Sequence, residues 1–250
     1  MHPLKPIDRS VHIVVQGKGG CGKSTAANHN AQALQALTDA QVMCINTDPV
    51  NNSLERFPAL YVRDLDIMNR DQIDPRRFDT MIDWTLEHPG PVVIDNGATS
   101  FIPVTSYMAE TGAIEALEEE GRNVFIHTIL VGGQAMDDTL DGLDALINNT
   151  AAPIIVWENE FFGPVERNGK RFAESQFYRD HRDRFAGIVT LRQHRAAMFG
   201  TDYALMTSAG LTYAEALNSD QFGKMPRRRL QAAWEDIFGQ LAAIHGGLIA

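Results

Sequence analysis

Apolar residues fall along this chain in two alternating rhythms. Short runs rich in Val, Ile and Leu occupy residues 11–15, 42–45, 92–94, 124–131, 154–157 and 188–191, and continuous runs of this kind suit strands covered on both faces. Between them the spacing changes to three and four. Ala27, Ala31, Leu34 and Leu37 mark residues 23–38, Phe78, Met81, Ile82 and Leu86 mark 75–87, and Met136, Leu140, Leu143 and Ile147 mark 135–148, each predicting an amphipathic helix. Asp74 ahead of Pro75 supplies an N-cap and a proline at the first helical position. Residues 197–246 read as wholly helical, ending in a stripe of Leu230, Trp234, Ile237, Phe238, Leu241 and Ile244.

Buried strands alternating with helices predict an α/β fold: a doubly wound, mostly parallel sheet with helices on both faces and ligands at the carboxyl ends of its strands. No repeat or linker divides the chain, so residues 1–250 are expected to form one domain. Composition is that of an ordinary globular protein, 44% hydrophobic and 22% charged. No apolar run is long enough to span a bilayer, and Met1 to Pro6 lack the apolar core of a signal peptide, so a cytoplasmic location without stable membrane insertion is expected. A net charge of −10 removes any global attraction to nucleic acid or anionic lipid and leaves only local patches to attract either. Cys21 and Cys44 fit no metal-ligand or disulfide pattern and read as reduced thiols.

The chemistry is concentrated where the first run ends. Gly17, Lys18, Gly19, Gly20, Cys21, Gly22, Lys23 and Ser24 match the phosphate-loop pattern, between a predicted strand and a predicted helix. Glycines let successive amides converge on phosphate oxygens at the helix N-terminus, Lys23 would reach the β- and γ-phosphates, and Ser24 would ligate Mg²⁺. Such a site needs a strand-end acid for the metal, and Asp95 follows Val92 to Ile94. Asp48, after the second run, would stand beside the phosphates if its strand neighbours the first.

These residues resemble the ParA/MinD-like "deviant Walker A" ATPases, P-loop NTPases with an extra lysine after the first glycine of the loop. The resemblance implies ATP and Mg²⁺ as cofactors, slow hydrolysis, and a nucleotide-dependent homodimer in which Lys18 crosses to the partner's nucleotide. It also implies that Thr25 contacts the α-phosphate, that Asp48 positions the attacking water, and that Asn46 replaces the first acid of the family's Asp-x-Asp-Pro segment. Longer segments, "CINTDPVNNS", "VVIDNGATSFIPVTSYM", "IHTILVGGQAMDDT" and "WENEFFGPVE", are similar to the TraL family of conjugative plasmid transfer. That similarity implies a conjugation or secretion-system protein as partner, and relatives place an adenine-binding residue where Asn159 stands.

Other features carry less. Arg227, Arg228 and Arg229 offer phosphate contacts to non-specific DNA, but neighbours on a helix point in different directions, so a solvated or dimer-facing role is expected. The last helix lacks the basic polar face of a membrane-surface helix. Glu158 and Glu160 are a weak pair for acid-base chemistry, and the eight histidines show no metal-ligand spacing. The stretch after Asp95, residues 99–112, alternates polar and apolar and reads as a nucleotide-responsive surface. A partition or positioning ATPase, a metabolic phosphoryl-transfer enzyme and a non-hydrolysing assembly factor remain as alternative functions.

Overall fold

The computed structural model describes residues 6–49, 53–194 and 196–249. Met1 to Lys5, and Asn51 and Asn52 of the second motif segment, lie outside the described residues. The elements run β1 (Ser10–Val14), α1 (Lys23–Leu37), β2 (Met43–Asn46), β3 (Tyr61–Asp64), a hairpin of β4 (Met68–Asn69) and β5 (Gln72–Ile73), α2 (Phe78–Glu87) and β6 (Val92–Asp95). They continue with α3 (Phe101–Thr111), α4 (Ala113–Glu119), β7 (Asn123–Val131), α5 (Met136–Asn149), β8 (Ile154–Asn159), a hairpin of β9 (Glu166–Arg167) and β10 (Lys170–Arg171), and α6 (Gln176–Asp180). β11 (Phe185–Leu191), α7 (Thr201–Ser208), α8 (Tyr213–Asn218) and α9 (Lys224–Ile249) complete the chain. Asp74 caps the 3-10 turn Pro75–Arg77 ahead of α2, accepting from the Arg76 amide. The C-terminal region is helical as expected, but turns after Ser208 and Asn218 divide it.

Seven strands form one parallel sheet in the order β11-β8-β7-β1-β6-β2-β3. β1 lies inside it, flanked by β6 and β7, and the chain winds outward on both sides. The crevice at its carboxyl end is the topological switch point of the sheet. Strand periodicity assigns each side chain to a face. Val11, Ile13, Val92, Ile94 and Val156 join one core with residues of α2 to α5, whereas Val14, Val93, Ile155 and Trp157 join the other with residues of α1 and α9. Asp95 and Asn159 share the parity of Val93 and Trp157 and therefore project toward α1.

The α1 face also buries a polar chain. The indole of Trp157 donates to His127 Nδ1 at 2.8 Å, leaving the imidazole proton on Nε2, which donates to His12 Nδ1 at 2.9 Å. His12 Nε2 then donates to Ser10 Oγ at 2.9 Å, and that hydroxyl donates to Ile7 O at 2.7 Å. An indole N–H can only donate, so it fixes every tautomer below it. His245 of α9 meets His12 edge to face at 5.0 Å. Burial holds all three imidazoles neutral, lowering His12 and His127 well below the usual histidine value and His245 to about 4.

Two expectations need amending. The edge strand β3 and the two hairpins have no apolar run to announce them, although Asn168 and Gly169, both at positive φ, form a favoured two-residue hairpin turn. β2 is not next to β1, because β6 lies between them. Asp48 therefore reaches the crevice from one strand farther away.

An acid titration follows from the buried imidazoles. Their folded pKa values lie below the unfolded value, so the unfolded chain takes up protons first and stability present above about pH 6.5 is lost as pH falls toward 4. Between about pH 7 and pH 5 the loss is about 2 kcal/mol per buried histidine, read as a falling urea midpoint. The slope becomes shallower in a His245→Phe variant.

Candidate functional site

The loop joining β1 to α1 is held from both sides before it turns. Val15 donates to His127 O at 2.9 Å, and the fully buried Gln16 reaches Ile129 O and Thr139 O, each at 3.0 Å from its Nε2. Gly22 has φ +105°, a left-handed conformation that ordinary side chains avoid. A methyl group there would also sit 2.7 Å from Asn159 Nδ2. α1 begins at Lys23 with no side-chain cap and no acid in its first turn, so its amides and positive dipole end are uncompensated. Lys23 is 7% exposed and donates to Lys18 O at 3.1 Å, folding its ammonium under the loop.

Acidic groups close the crevice from behind. Asp95 is 1% exposed, and neither carboxylate oxygen meets full hydrogen-bond geometry with a donor, although the Ser24 hydroxyl lies close enough to stabilise its charge. Burial raises its pKa to about 6, the nearby Ser24 hydroxyl and Lys23 ammonium draw it down, and Asp48 pushes it up. Asp48 packs so closely on Gly97 that a methyl group at residue 97 would lie 2.9 Å from its Cγ. Its amide donates to Asn46 Oδ1 at 3.2 Å, and Asn46 Nδ2 donates to Asp64 Oδ1 on β3 at 2.7 Å. An aspartate at residue 46 would place two carboxylates across adjacent strands, where like charges destabilise. Asparagine instead links the edge strand to the Asp48 turn.

Mg²⁺ fits this arrangement. An orphaned buried carboxylate beside a hydroxyl supplies hard oxygen donors, and no group of three or more His, Cys, Asp or Glu able to hold a metal occurs among the described residues. A cation here would rely on Asp95, Ser24, water and substrate phosphates, as Mg²⁺ commonly does.

Lys18 and Asn159 both have partners within the chain. Lys18 Nζ pairs with Asp138 Oδ2 on α5 at 2.7 Å, with side chains 40% and 58% exposed. Asn159 Nδ2 donates to Cys21 O at 2.8 Å, and its Oδ1 accepts from the Phe161 amide at 3.1 Å. Its amide thus joins the phosphate loop to the turn at Phe161 and Phe162. Thr25 and Asn159 line a cavity of about 640 Å³ that opens beside Gly20 and Gly22.

The remaining candidates are committed elsewhere. Arg227 donates to Ser219 O at 2.8 Å and Arg229 forms a bidentate contact with Asp202, leaving Arg228 exposed. Glu158 and Glu160 both grip Arg171. From residue 78 to 166 the only Lys or Arg is Arg122, which is buried and bonded to two backbone carbonyls, so this segment offers no exposed cation to a phosphate polyanion. No helix of the described residues is long and apolar enough to cross a membrane. Both cysteines are free and buried, and residues 99–112 contain α3. Phe101 packs against Gly17, at 3.3 Å from a methyl group built there.

The sequence reading missed three contributors. Asn96 donates to Val14 O at 3.2 Å and accepts from Thr47 Oγ1 at 2.8 Å, tying β1 to the Asp48 turn. Its position directly after Asp95 was the available signal. Asp138 and Asp64 gave none, because each acts through a partner distant in sequence.

No family model matches this chain. Two Escherichia coli proteins named TraL are similar to it, one 36% identical over 233 residues, covering 92% of this chain and 96% of its own, the other 37% identical over 236 residues, covering 93% and 97%. Among solved structures, a MinC:MinD cell division protein complex from Aquifex aeolicus has TM-score 0.49 and 12% identity, covering 92% of this chain and 96% of that one. A putative plasmid partition protein from Borrelia burgdorferi bound to AMPPNP has TM-score 0.48 and 14% identity, covering 96% and 99%. A ParA family ATPase from Chlorobium tepidum has TM-score 0.48 and 14% identity, covering 90% and 98%. Family membership rests on the two sequence relatives, which match nearly end to end: the chain belongs to the TraL family.

Proposed function

We propose that this protein is a Mg²⁺-dependent, ATP-binding switch that hydrolyses ATP slowly, dimerises on ATP, and acts in conjugative plasmid DNA transfer with a protein of the transfer apparatus. The observation that carries the reading is the buried, unpartnered Asp95 carboxylate beside Ser24, beneath an uncapped helix N-terminus and a buried lysine. A helix that only needed to fold would be capped, and a carboxylate that only needed to pack would be hydrogen-bonded. Anion and metal together satisfy both.

In this reading Gly17, Gly19, Gly20, Cys21 and Gly22 present backbone amides to the phosphates, Lys23 neutralises the β- and γ-oxygens, and Thr25 contacts the α-phosphate. Mg²⁺, when bound, spreads the phosphate charge at Ser24 and Asp95. Asp48, held by Asn46 and by contact with Gly97, orients the attacking water. Lys18 exchanges Asp138 for the nucleotide of a second copy. The exchange is easy, since exposed ion pairs contribute only about 0–1 kcal/mol. Ile102, Phe161 and Phe162, exposed by 72%, 72% and 56%, give that copy apolar surface to cover.

Three measurements test this. With Mg·ATP the wild type doubles its mass in solution, Lys18→Ala stays monomeric, and Asp48→Ala still dimerises but loses turnover about 100-fold. Equal mass and turnover in all three would remove the switch. Asp138→Ala frees Lys18 and strengthens dimerisation about two- to fivefold by sedimentation, the effect expected for one weak surface pair.

The third is thermodynamic. Raising the Asp95 pKa from 3.8 to about 6 means that the folded chain holds this proton more tightly, so the group's contribution declines as pH rises from 3.8 through 6 and is lowest at neutral pH. Asp95→Asn is expected to stabilise the free protein by up to about 3 kcal/mol at pH 7 in urea unfolding. The same change abolishes stabilisation by added Mg·ATP.

A further inference from the structure

A second cavity, of about 200 Å³, lies against the first turns of α1. Ser24, Thr25, Ser53, Tyr203 and Thr207 bring hydroxyls to its wall, and among the described residues that line it Arg56 is the only charged side chain. The whole chain has 32 Asp and Glu against 22 Lys and Arg. A recess in such a chain that holds a guanidinium and hydroxyl donors, with no carboxylate in its wall, selects for anions. α1 adds the positive end of its dipole, which neither a side-chain cap nor an acid in the first turn offsets.

The backbone around Arg56 is pinned, and its side chain is left exposed. Leu54 and Phe57, 0% and 6% exposed, enter the core that contains Ala27 and Ala31 of α1. Phe57 donates to Leu54 O at 3.0 Å and Leu60 to Phe57 O at 2.9 Å, closing successive turns. Gly210, at φ +68°, packs on the Arg56 carbonyl so closely that a methyl group there would collide with it. Arg56 itself is exposed, and its guanidinium makes no hydrogen bond or ion pair with the described residues. Anchoring the turn in advance lowers the ordering cost of any contact this side chain makes.

Ser24 and Thr25 join this cavity to the phosphate site. Thr25 also lines the larger cavity beside Gly20 and Gly22, and Ser24 follows Lys23 directly. We propose that Arg56 is a phosphate ligand of this site, its guanidinium donating to the phosphate chain of a nucleotide held at Ser24 and Thr25. This rests on nucleotide binding at the phosphate loop and deepens that reading. Arg56 follows Asp48 on the same connection between β2 and β3, so the contact ties the segment that carries Asp48 to the nucleotide.

Calorimetry on the full chain with Mg²⁺ tests it, comparing ATP binding by the wild type, Arg56→Met and Arg56→Lys at low and high NaCl. Arg56→Met keeps an apolar stem and removes the charge, and it is expected to bind ATP about tenfold more weakly at low salt, the loss of one charge-assisted contact. That deficit shrinks as salt is raised, because screening weakens the contact the wild type makes. Arg56→Lys recovers part of the affinity, since an ammonium keeps the charge but cannot bridge two phosphate oxygens as a guanidinium does. If Arg56→Met binds ATP as the wild type does, or its deficit is unchanged by salt and equal in Arg56→Lys, the proposal falls while nucleotide binding stands. It falls also if inorganic phosphate binds the wild type and not Arg56→Met while their ATP affinities agree, for the cavity then holds a separate anion. If ATP does not bind the wild type, both readings fall together.

Discussion

Keeping a carboxylate ionised and unpartnered inside a protein is costly, and the site is organised around that cost at Asp95. The residue ends the strand beside β1, so its backbone is fixed by the sheet ladder and its side chain is committed to the α1 face by strand alternation. Local relief is partial. Ser24 and Lys23 lie near enough to lower its pKa without overcoming burial, and Asp48 adds a second negative charge. The fold therefore leaves a buried carboxylate beneath an uncapped helix N-terminus, and the proposed binding of cation and phosphate rests on that arrangement.

The same face shows that this fold can satisfy buried polar groups. From Trp157 to Ile7 every donor meets an acceptor, and the chain of bonds crosses β8, β7 and β1 to the N-terminal turn. Such a network fixes the register of adjacent strands and excludes water from the centre of the sheet. Its members lie toward the strand interiors, while the unpartnered atoms of Asp95 lie near the carboxyl edge. The interior is not uniformly satisfied, since His245 Nδ1 and Asn30 Nδ2 beside this network also lack partners.

Between these regions, short contacts carry information from one part of the site to another. Asn159 bonds the phosphate loop and the aromatic turn at once. Asn46 bonds the edge strand and the Asp48 turn. Asp138 and Asp137, adjacent at the start of α5, hold Lys18 of the phosphate loop and Arg167 of the hairpin. Each link couples two segments that are distant in sequence.

The amino-acid order by itself determined the alternation of strand and helix, the phosphate loop with its two lysines, and the acid at the end of a buried run. These are readable because they depend on neighbours in sequence: side-chain period, glycine conformational freedom, and a helix start directly after a strand. β3 was not readable, because an exposed edge strand such as Tyr61–Asp64 needs no apolar run. Only the tertiary structure decided that β6 separates β1 from β2, that His12, His127 and His245 gather on one face, that Lys18 meets Asp138, and that Asn159 is bonded to Cys21 of the phosphate loop. All of these are contacts between residues far apart in the chain. They are set by the order in which strands enter the sheet, which apolar periodicity leaves undetermined because every buried parallel strand presents the same pattern to its neighbours.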